Sequence, residues 1–175
     1  LVPQDSCDEP AASLLLRIQS EKSRQSVKRA TKKANALAEP YTGEPPSNLP
    51  SGWAVVRLGE LVSISTGKLD ANAAVADGAY PFFTCSQTPS RIDRYSFDCP
   101  AVLLAGNGDF NLKKYTGKFD AYQRTYVIEP ILWSLDYCFI SLRAEIERIT
   151  ENNRGSAIPY LKLGDITTPK IWVPP

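Results

Sequence analysis

Residues 105–128 read AGNGDFNLKKYTGKFDAYQRTYVI and hold the side chains of this chain best equipped for chemistry. Two glycines flank an asparagine after an apolar run, which is how a nucleotide-binding loop can begin. Lys113, Lys114, Lys118 and Arg124 then interleave with Tyr115, Phe119, Tyr122 and Tyr126, a mixture with which a surface can grip a polyanion. Asp98, Asp109, Asp120 and Glu129 are spread through the same region, and carboxylates can hold Mg²⁺ in a nuclease centre. Three chemistries therefore compete for one stretch.

The nucleotide loop fits worst. Its third glycine is missing, since Phe110 and Asn111 follow Asp109, and Tyr115, Gly117 and Phe119 suggest a hairpin where a helix should start. The Asn/Asp-Pro-Pro-aromatic motif of amino-methyltransferases is absent as well: the only Pro-Pro pairs lie in GEPPS and at the end of the chain. No cofactor is expected. The metal site lacks a Glu-x-Lys or Asp-x-Lys dipole at a useful spacing, so the four acids are expected on turns and at the surface, and no metal is expected. The chain has no histidine, which removes histidine zinc ligands, Ser-His and Cys-His nucleophile pairs and a histidine general base.

The polyanion surface fits best. Lysines supply phosphate contacts, while Gln123 and Arg124 are of the types that read adenine and guanine edges in two-point contacts. On one continuous strand Tyr122, Arg124, Tyr126 and Ile128 would share a face, with Gln123, Thr125 and Val127 on the other. Gly106, Gly108 and Gly117 would let the backbone turn tightly or approach a ligand closely. A purely structural reading keeps the aromatic rings as core and places Arg124 in an ion pair; the aromatics fit it better than the lysines do.

These residues need a frame. A chain of 175 residues is the size of about one domain with an appendage, and its mix of 43% hydrophobic and 22% charged residues is that of a globular protein. The net charge of +1 confines any nucleic-acid binding to a local patch. No apolar run spans a membrane and no signal peptide opens the chain, so a cytoplasmic protein is expected. Cys7, Cys85, Cys99 and Cys138 are scattered singletons, expected as reduced, buried thiols. The first residue is Leu1 and methionine is absent, which suggests a piece of a longer protein.

Residues 1–47 differ in texture from the rest. Asp8 is a possible cap and Pro10 lies near the first turn of a helix expected to run to about Ser20. Residues 17–33 carry seven basic side chains against one acid, Glu21, and this tail is expected to be solvated and frayed. AEPYTGEPPSNLP then reads as a linker. From residue 48 the pattern changes to short strands: WAVV, YPFFTCS, AVLLAG and YQRTYVI, with a short helical RLGELV. Leu142, Ile146 and Ile149 stand at helical spacing in LDYCFISLRAEIERI. SAIPYLKLGDITTPKIWVPP reads as short extended pieces between prolines. Strands and helices do not alternate regularly and no internal repeat is visible. An irregular α+β domain over residues 48–175 is expected, with balanced charge: thirteen basic and thirteen acidic residues.

As an ordered set, NLPSGWAVVRLGELVSISTG, YPFFTCSQT, AVLLAGNGDFNLKKYTGKFDAYQRTYVI and GSAIPYLKLGDITTPKIWVPP closely resemble a target recognition domain of the specificity subunit of type I restriction–modification systems. LVPQDSCDEPAASLLLRIQSEK resembles the stretch after the central conserved helix of such subunits. The resemblance implies a mixed α/β domain, the second of two that long conserved helices hold apart. Each domain reads one half of a split duplex-DNA site. It implies no catalysis by the subunit: modification subunits bring S-adenosylmethionine and methylate adenine, and restriction subunits cleave using ATP. Family members with different targets share much of GNG-F-N and AYQRTYVI, so that part is expected to be scaffold or to position phosphate. Base reading is expected from Ser86, Gln87, Arg91 and Arg94 in residues 86–94 and from the segment of Lys113, Lys114, Tyr115 and Lys118, with Gln123 and Arg124 nearby. A small nuclease or methyltransferase fragment and a pure protein-interaction module are the rival readings.

Overall fold

The computed structural model describes residues 5, 7–28, 40–44, 46–151 and 159–175. Helix α1 (Ala11–Lys28) opens it and runs well past Ser20. Its second half is docked rather than frayed, because the Lys22 ammonium donates to the Gly59 carbonyl and, at 3.1 Å, to the Val62 carbonyl. Ala11 and Ile18 are buried in the main core. Asp8 does not cap the helix; the Ala11 N–H donates instead to the Gly52 carbonyl at 2.9 Å. The rest of the basic run, residues 29–33, lies outside the described residues, as do residues 155–158 of GSAIPYLKL. Among the described residues from 40 to 50 there is neither helix nor strand.

Strand β1 (Ala54–Arg57) leads into the one-turn helix α2 (Leu58–Leu61) and strand β2 (Val62–Thr66). Strands β3 (Tyr80–Phe83), β4 (Ser90–Ile92), β5 (Phe97–Ala105), β6 (Leu112–Ala121) and β7 (Thr125–Pro130) follow. Helix α3 (Leu135–Thr150), capped by the Ser134 hydroxyl, buries Leu142 and Ile149 as their spacing requires. A second one-turn helix, α4 (Leu163–Thr167), and strand β8 (Lys170–Val173) complete the chain. The KLGDI stretch is thus helical, not extended. It is also half of a short internal likeness: RLGEL and KLGDI each start a helical turn with the same device. The Glu60 carboxylate accepts from the Arg57 N–H, and the Asp165 carboxylate from the Lys162 N–H, both at 2.8 Å. An acid at the third helical position satisfies a donor that the helix itself cannot.

β1 and β8 form a two-stranded antiparallel ribbon, and the other strands form one sheet in the order β2-β7-β5-β6-β3-β4. All its pairings are antiparallel except β3–β6, where Phe82 meets Asp120 and Phe83 meets Ala121. β5 sits mid-sheet and is buried on both faces, which is why AVLLA is apolar throughout instead of alternating. Val102, Leu104 and Ile128 face the helices and pack with Leu58, Leu61, Cys138 and Leu142. Ala101, Leu103 and Val127 face the other way into a second cluster with Phe83, Phe119 and Ala121. Phe119 stacks on Phe97 at 5.1 Å and meets Phe83 edge-on at 5.5 Å.

The sheet coils strongly around this second cluster. A Cβ on Gly67, just beyond β2, would lie 1.8 Å from the Ala121 carbonyl oxygen at the end of β6. β7 and β5 separate those two strands in the ladder, so only a sheet curled toward closure brings them together. Asp120 is a consequence: it is buried, not a surface acid, and accepts from the Ser96 hydroxyl at 2.7 Å and from the Ala121 N–H at 2.8 Å. All four cysteines are free, yet only Cys138 is buried; Cys7 is exposed and Cys85 and Cys99 are half-buried.

Candidate nucleic-acid interface

AGNGDFN forms the turn of the β5–β6 hairpin, and its polar residues alternate. Asn107, Asp109 and Asn111 each reach residues 85–87. Asn107 accepts from the Cys85 thiol at 2.8 Å, Asp109 accepts from the Gln87 amide, and Asn111 donates to the Cys85 carbonyl at 2.8 Å. Gly106 brings a third loop into this knot: its N–H donates to the Arg124 carbonyl at 2.8 Å, and its carbonyl accepts from the Leu161 N–H at 2.8 Å. A Cβ there would meet the Arg124 oxygen at 2.4 Å, so the glycine serves close approach to the protein's own backbone. Gly108 has a left-handed φ of +71°. The scaffold role expected of GNG-F-N rests on these contacts.

Tyr122–Arg124 is a turn and not part of a strand. The Thr125 N–H donates to the Tyr122 carbonyl at 2.8 Å, and strand β7 starts only at Thr125. Tyr122 and Arg124 therefore do not share a strand face with Tyr126 and Ile128, although Tyr126 and Ile128 do face the helices together. Gln123 and Arg124 are exposed at the tip of this turn. Among the described residues the Arg124 guanidinium joins none of the ion pairs, so the structural ion pair considered for it is not formed.

The loop from Cys85 to Ser90 and the start of β6 face each other across an open cleft of about 450 Å³. Gln87, Ser90, Arg91, Lys113, Lys114 and Tyr115 contribute to its lining, and no carboxylate does. The three lysines do not form one face. Along β6, Lys113 shares its side with Tyr115 and Phe119, whereas Lys114 and Lys118 alternate onto the opposite side. The Lys114 ammonium pairs with Asp136 at the start of α3. The Lys118 ammonium lies 4.8 Å over the Tyr95 ring, and its hydrogen bond with that tyrosine is the first cause of its raised pKa. The Lys113 ammonium donates to Asn111; burial lowers its pKa, against an opposing pull from Cys85 and Asp109. Tyr115 is half-buried against Phe83 and Phe119.

Arg91 is fastened. Its Nε donates to the Gly78 carbonyl at 2.8 Å and its Nη2 to the Ala79 carbonyl at 3.2 Å, holding the loop before β3. Ser86 is exposed on the cleft loop, and Arg94 is exposed beside Ala73 and Val75 in a separate shallow depression. Residues that sequence reasoning passed over include Asp109 as a partner of Gln87 and Asn111 as the hub between Cys85 and Lys113. No local pattern signals either contact, because a turn and not a strand repeat aims these side chains. Among the described residues no three His, Cys, Asp or Glu side chains gather as a metal site, and no helix is long and apolar enough to cross a membrane.

Residues 50–175 match the family described as type I restriction modification DNA specificity domain. The type I restriction enzyme EcoDI specificity subunit of Escherichia coli is 60% identical over 126 residues, 72% of this chain and 28% of that protein. The EcoEI specificity subunit of the same species is 42% identical over 65 residues, 37% of this chain and 11% of that protein. The chain thus spans about a quarter or less of the curated relatives it matches. Among solved structures, the S subunit of a type I restriction–modification system from M. genitalium superposes with a TM-score of 0.61 at 16% identity, over 74% of this chain and 36% of that one. The HsdS subunit from Thermoanaerobacter tengcongensis gives 0.54 at 18% identity, over 94% and 44%. At these identities the likeness establishes the shared fold.

Proposed function

Because the chain belongs to the type I restriction modification DNA specificity domain family, we propose that it reads one half of a split duplex-DNA target and leaves the chemistry to partner subunits. The observation that carries this reading is the open cleft between the Cys85–Ser90 loop and β6, lined in part by the cations Arg91 and Lys113, with the Lys114 ammonium turned to Asp136 and Asp109 at its edge against Gln87. A concave, cationic surface on an otherwise charge-balanced domain suits local contact with phosphate and base edges.

In this reading residues 48–175 are the recognition domain, and residues 1–47 are the end of a central conserved region, of which α1 docks onto it. Lys113 and Lys118 contact phosphate. Gln123 and Arg124 extend the contact from the neighbouring turn, Ser86 and Gln87 meet the groove from the cleft loop, and Arg94 reaches DNA from its separate depression. Tyr115 and Arg91 shape the cleft; Lys114 contributes when it exchanges Asp136 for phosphate. Modification subunits bring S-adenosylmethionine and methylate adenine, restriction subunits cleave using ATP, and the complex works in the cytoplasm.

The test is a transplant. The chain replaces the matching stretch of a type I specificity subunit of known target, co-expressed with its modification subunit, and methylated adenines are mapped by long-read sequencing. The hybrid is expected to keep the host's first half-site and spacing and to acquire a new second half. A folded, assembled hybrid that still methylates the host's original second half would refute the proposal.

A further inference from the structure

We propose that Gln87 reads a base from this cleft, that the base is adenine met in the major groove, and that Asp109 is the residue that positions it. This deepens the function proposed above and rests on it.

Most of the other polar side chains of the cleft are engaged or chemically unsuited. Arg91, the type that reads guanine with a two-point fork, already holds the Gly78 and Ala79 carbonyls. Lys114 turns away to Asp136, and Lys113 is tied to Asn111. Lysines carry donors only and cannot match an adenine edge, which offers a donor and an acceptor side by side. Gln87 is exposed and carries that pair in reverse.

A free glutamine amide can flip, which exchanges its donor and acceptor. Asp109 prevents this. Its carboxylate only accepts, so it draws the Gln87 Nε2 toward itself and turns Oε1 away. The second Nε2 hydrogen and Oε1 then stand as an ordered pair, able to donate to adenine N7 and accept from its N6 amino group. Asp109 is itself held in place, since Asn107 and Asn111 on either side are bonded to Cys85. Its charge also disfavours a phosphate at this point, which leaves Gln87 to meet bases while the lysines meet the backbone. A reader fixed before binding loses less freedom on contact.

The test uses the hybrid specificity subunit with its modification subunit and measures methylation rates on duplexes substituted at each position of the new half-site. Gln87→Ala is expected to lower discrimination about 5- to 150-fold at one A·T position and to leave the other positions within about twofold. Asp109→Ala should relax that same position. Asp109→Asn should recover it only in part, because the Asn oxygen can accept the same hydrogen but its amide can also turn and donate to the flipped Gln87. Unchanged discrimination in Gln87→Ala, relaxation at a G·C position, or an equal loss at every position would each overturn the inference. So would relaxation by Asp109→Ala at a different position, which would make Asp109 a reader itself. In all of these the unsubstituted hybrid still recognises a new half-site; if it does not, the proposed function fails first.

Discussion

Gly106→Ala places a methyl carbon 2.4 Å from the Arg124 carbonyl oxygen and 3.0 Å from the Tyr126 ring. The first contact is with backbone, so relief requires the Tyr122–Arg124 turn or the hairpin turn to move. Movement breaks the bond from the Gly106 N–H to the Arg124 carbonyl and strains that from the Leu161 N–H to the Gly106 carbonyl, both 2.8 Å. Two backbone hydrogen bonds contribute about 1 kcal/mol each, and overpacking a close-fitted site costs ~1–3 kcal/mol. The expected loss is therefore ~3–5 kcal/mol, which for a chain of this size lowers Tm by roughly 6–20 °C. Chemical denaturation followed by circular dichroism measures it on the whole chain. Gly108→Ala is the control: its Cβ meets nothing within 4 Å, and only the φ of +71° opposes it, at ~1–2 kcal/mol. A Gly106→Ala loss no larger than that of Gly108→Ala would refute the close-approach argument and free the Arg124 turn from the knot.

In DNA binding measured from 50 to 200 mM salt by fluorescence anisotropy, Lys113→Ala should reduce the salt slope by about 0.9 units, and Lys114→Ala by clearly less because Asp136 already neutralises it; equal reductions would contradict this. Lys22→Ala should cost ~1.5–3 kcal/mol and speed hydrogen exchange along α1, since it removes the bonds to the Gly59 and Val62 carbonyls; unchanged α1 protection would show that the helix docks without them. Burial pushes the Cys138 thiol up to about 12 from 9.0, so its proton is held more tightly in the folded chain. Its contribution is full below pH ~9 and falls as pH rises toward 12, by at most ~1.4 kcal/mol per pH unit, and Cys138→Ala should remove that slope from stability-against-pH curves; identical slopes would count against it.

Patterns that are local in sequence were legible. Helix α3 announced itself through Leu142, Ile146 and Ile149, and β3 and β5 through apolar runs. What stayed hidden depends on contacts across the chain. The Tyr122–Arg124 turn contains neither glycine nor proline, and the Gln123 N–H is held from outside by the Leu69 carbonyl at 2.9 Å. The extension of α1 depends on Lys22 reaching carbonyls 37 and 40 residues away, and the burial of Asp120 on Ser96, 24 residues before it. The separation of the lysines was readable, since Lys113 differs in parity from Lys114 and Lys118 on any strand. The ordered motifs that carry the resemblance include the backbone knot around Gly106 and the RLGEL and KLGDI turns, each a short stretch read directly from the sequence. The side chain proposed to read the target, Gln87, lies on the Cys85–Ser90 loop, where no local rule names the base.

The β1–β8 ribbon, with Ala54 opposite Val173, makes the sheet-bearing body a cassette with a single doorway. The chain goes in and comes out on neighbouring strands about 5 Å apart. A host that presents two such strand ends and a helix seated like α1 can accept the body without stretching. On the proposed function, exchange of such a body by recombination needs two crossovers flanking the ribbon and a helix that keeps the seats of Ala11, Ile18 and Lys22. On the proposed function, the unit that changes hands is then the whole body between its two neighbouring strand ends, together with the seat it offers α1.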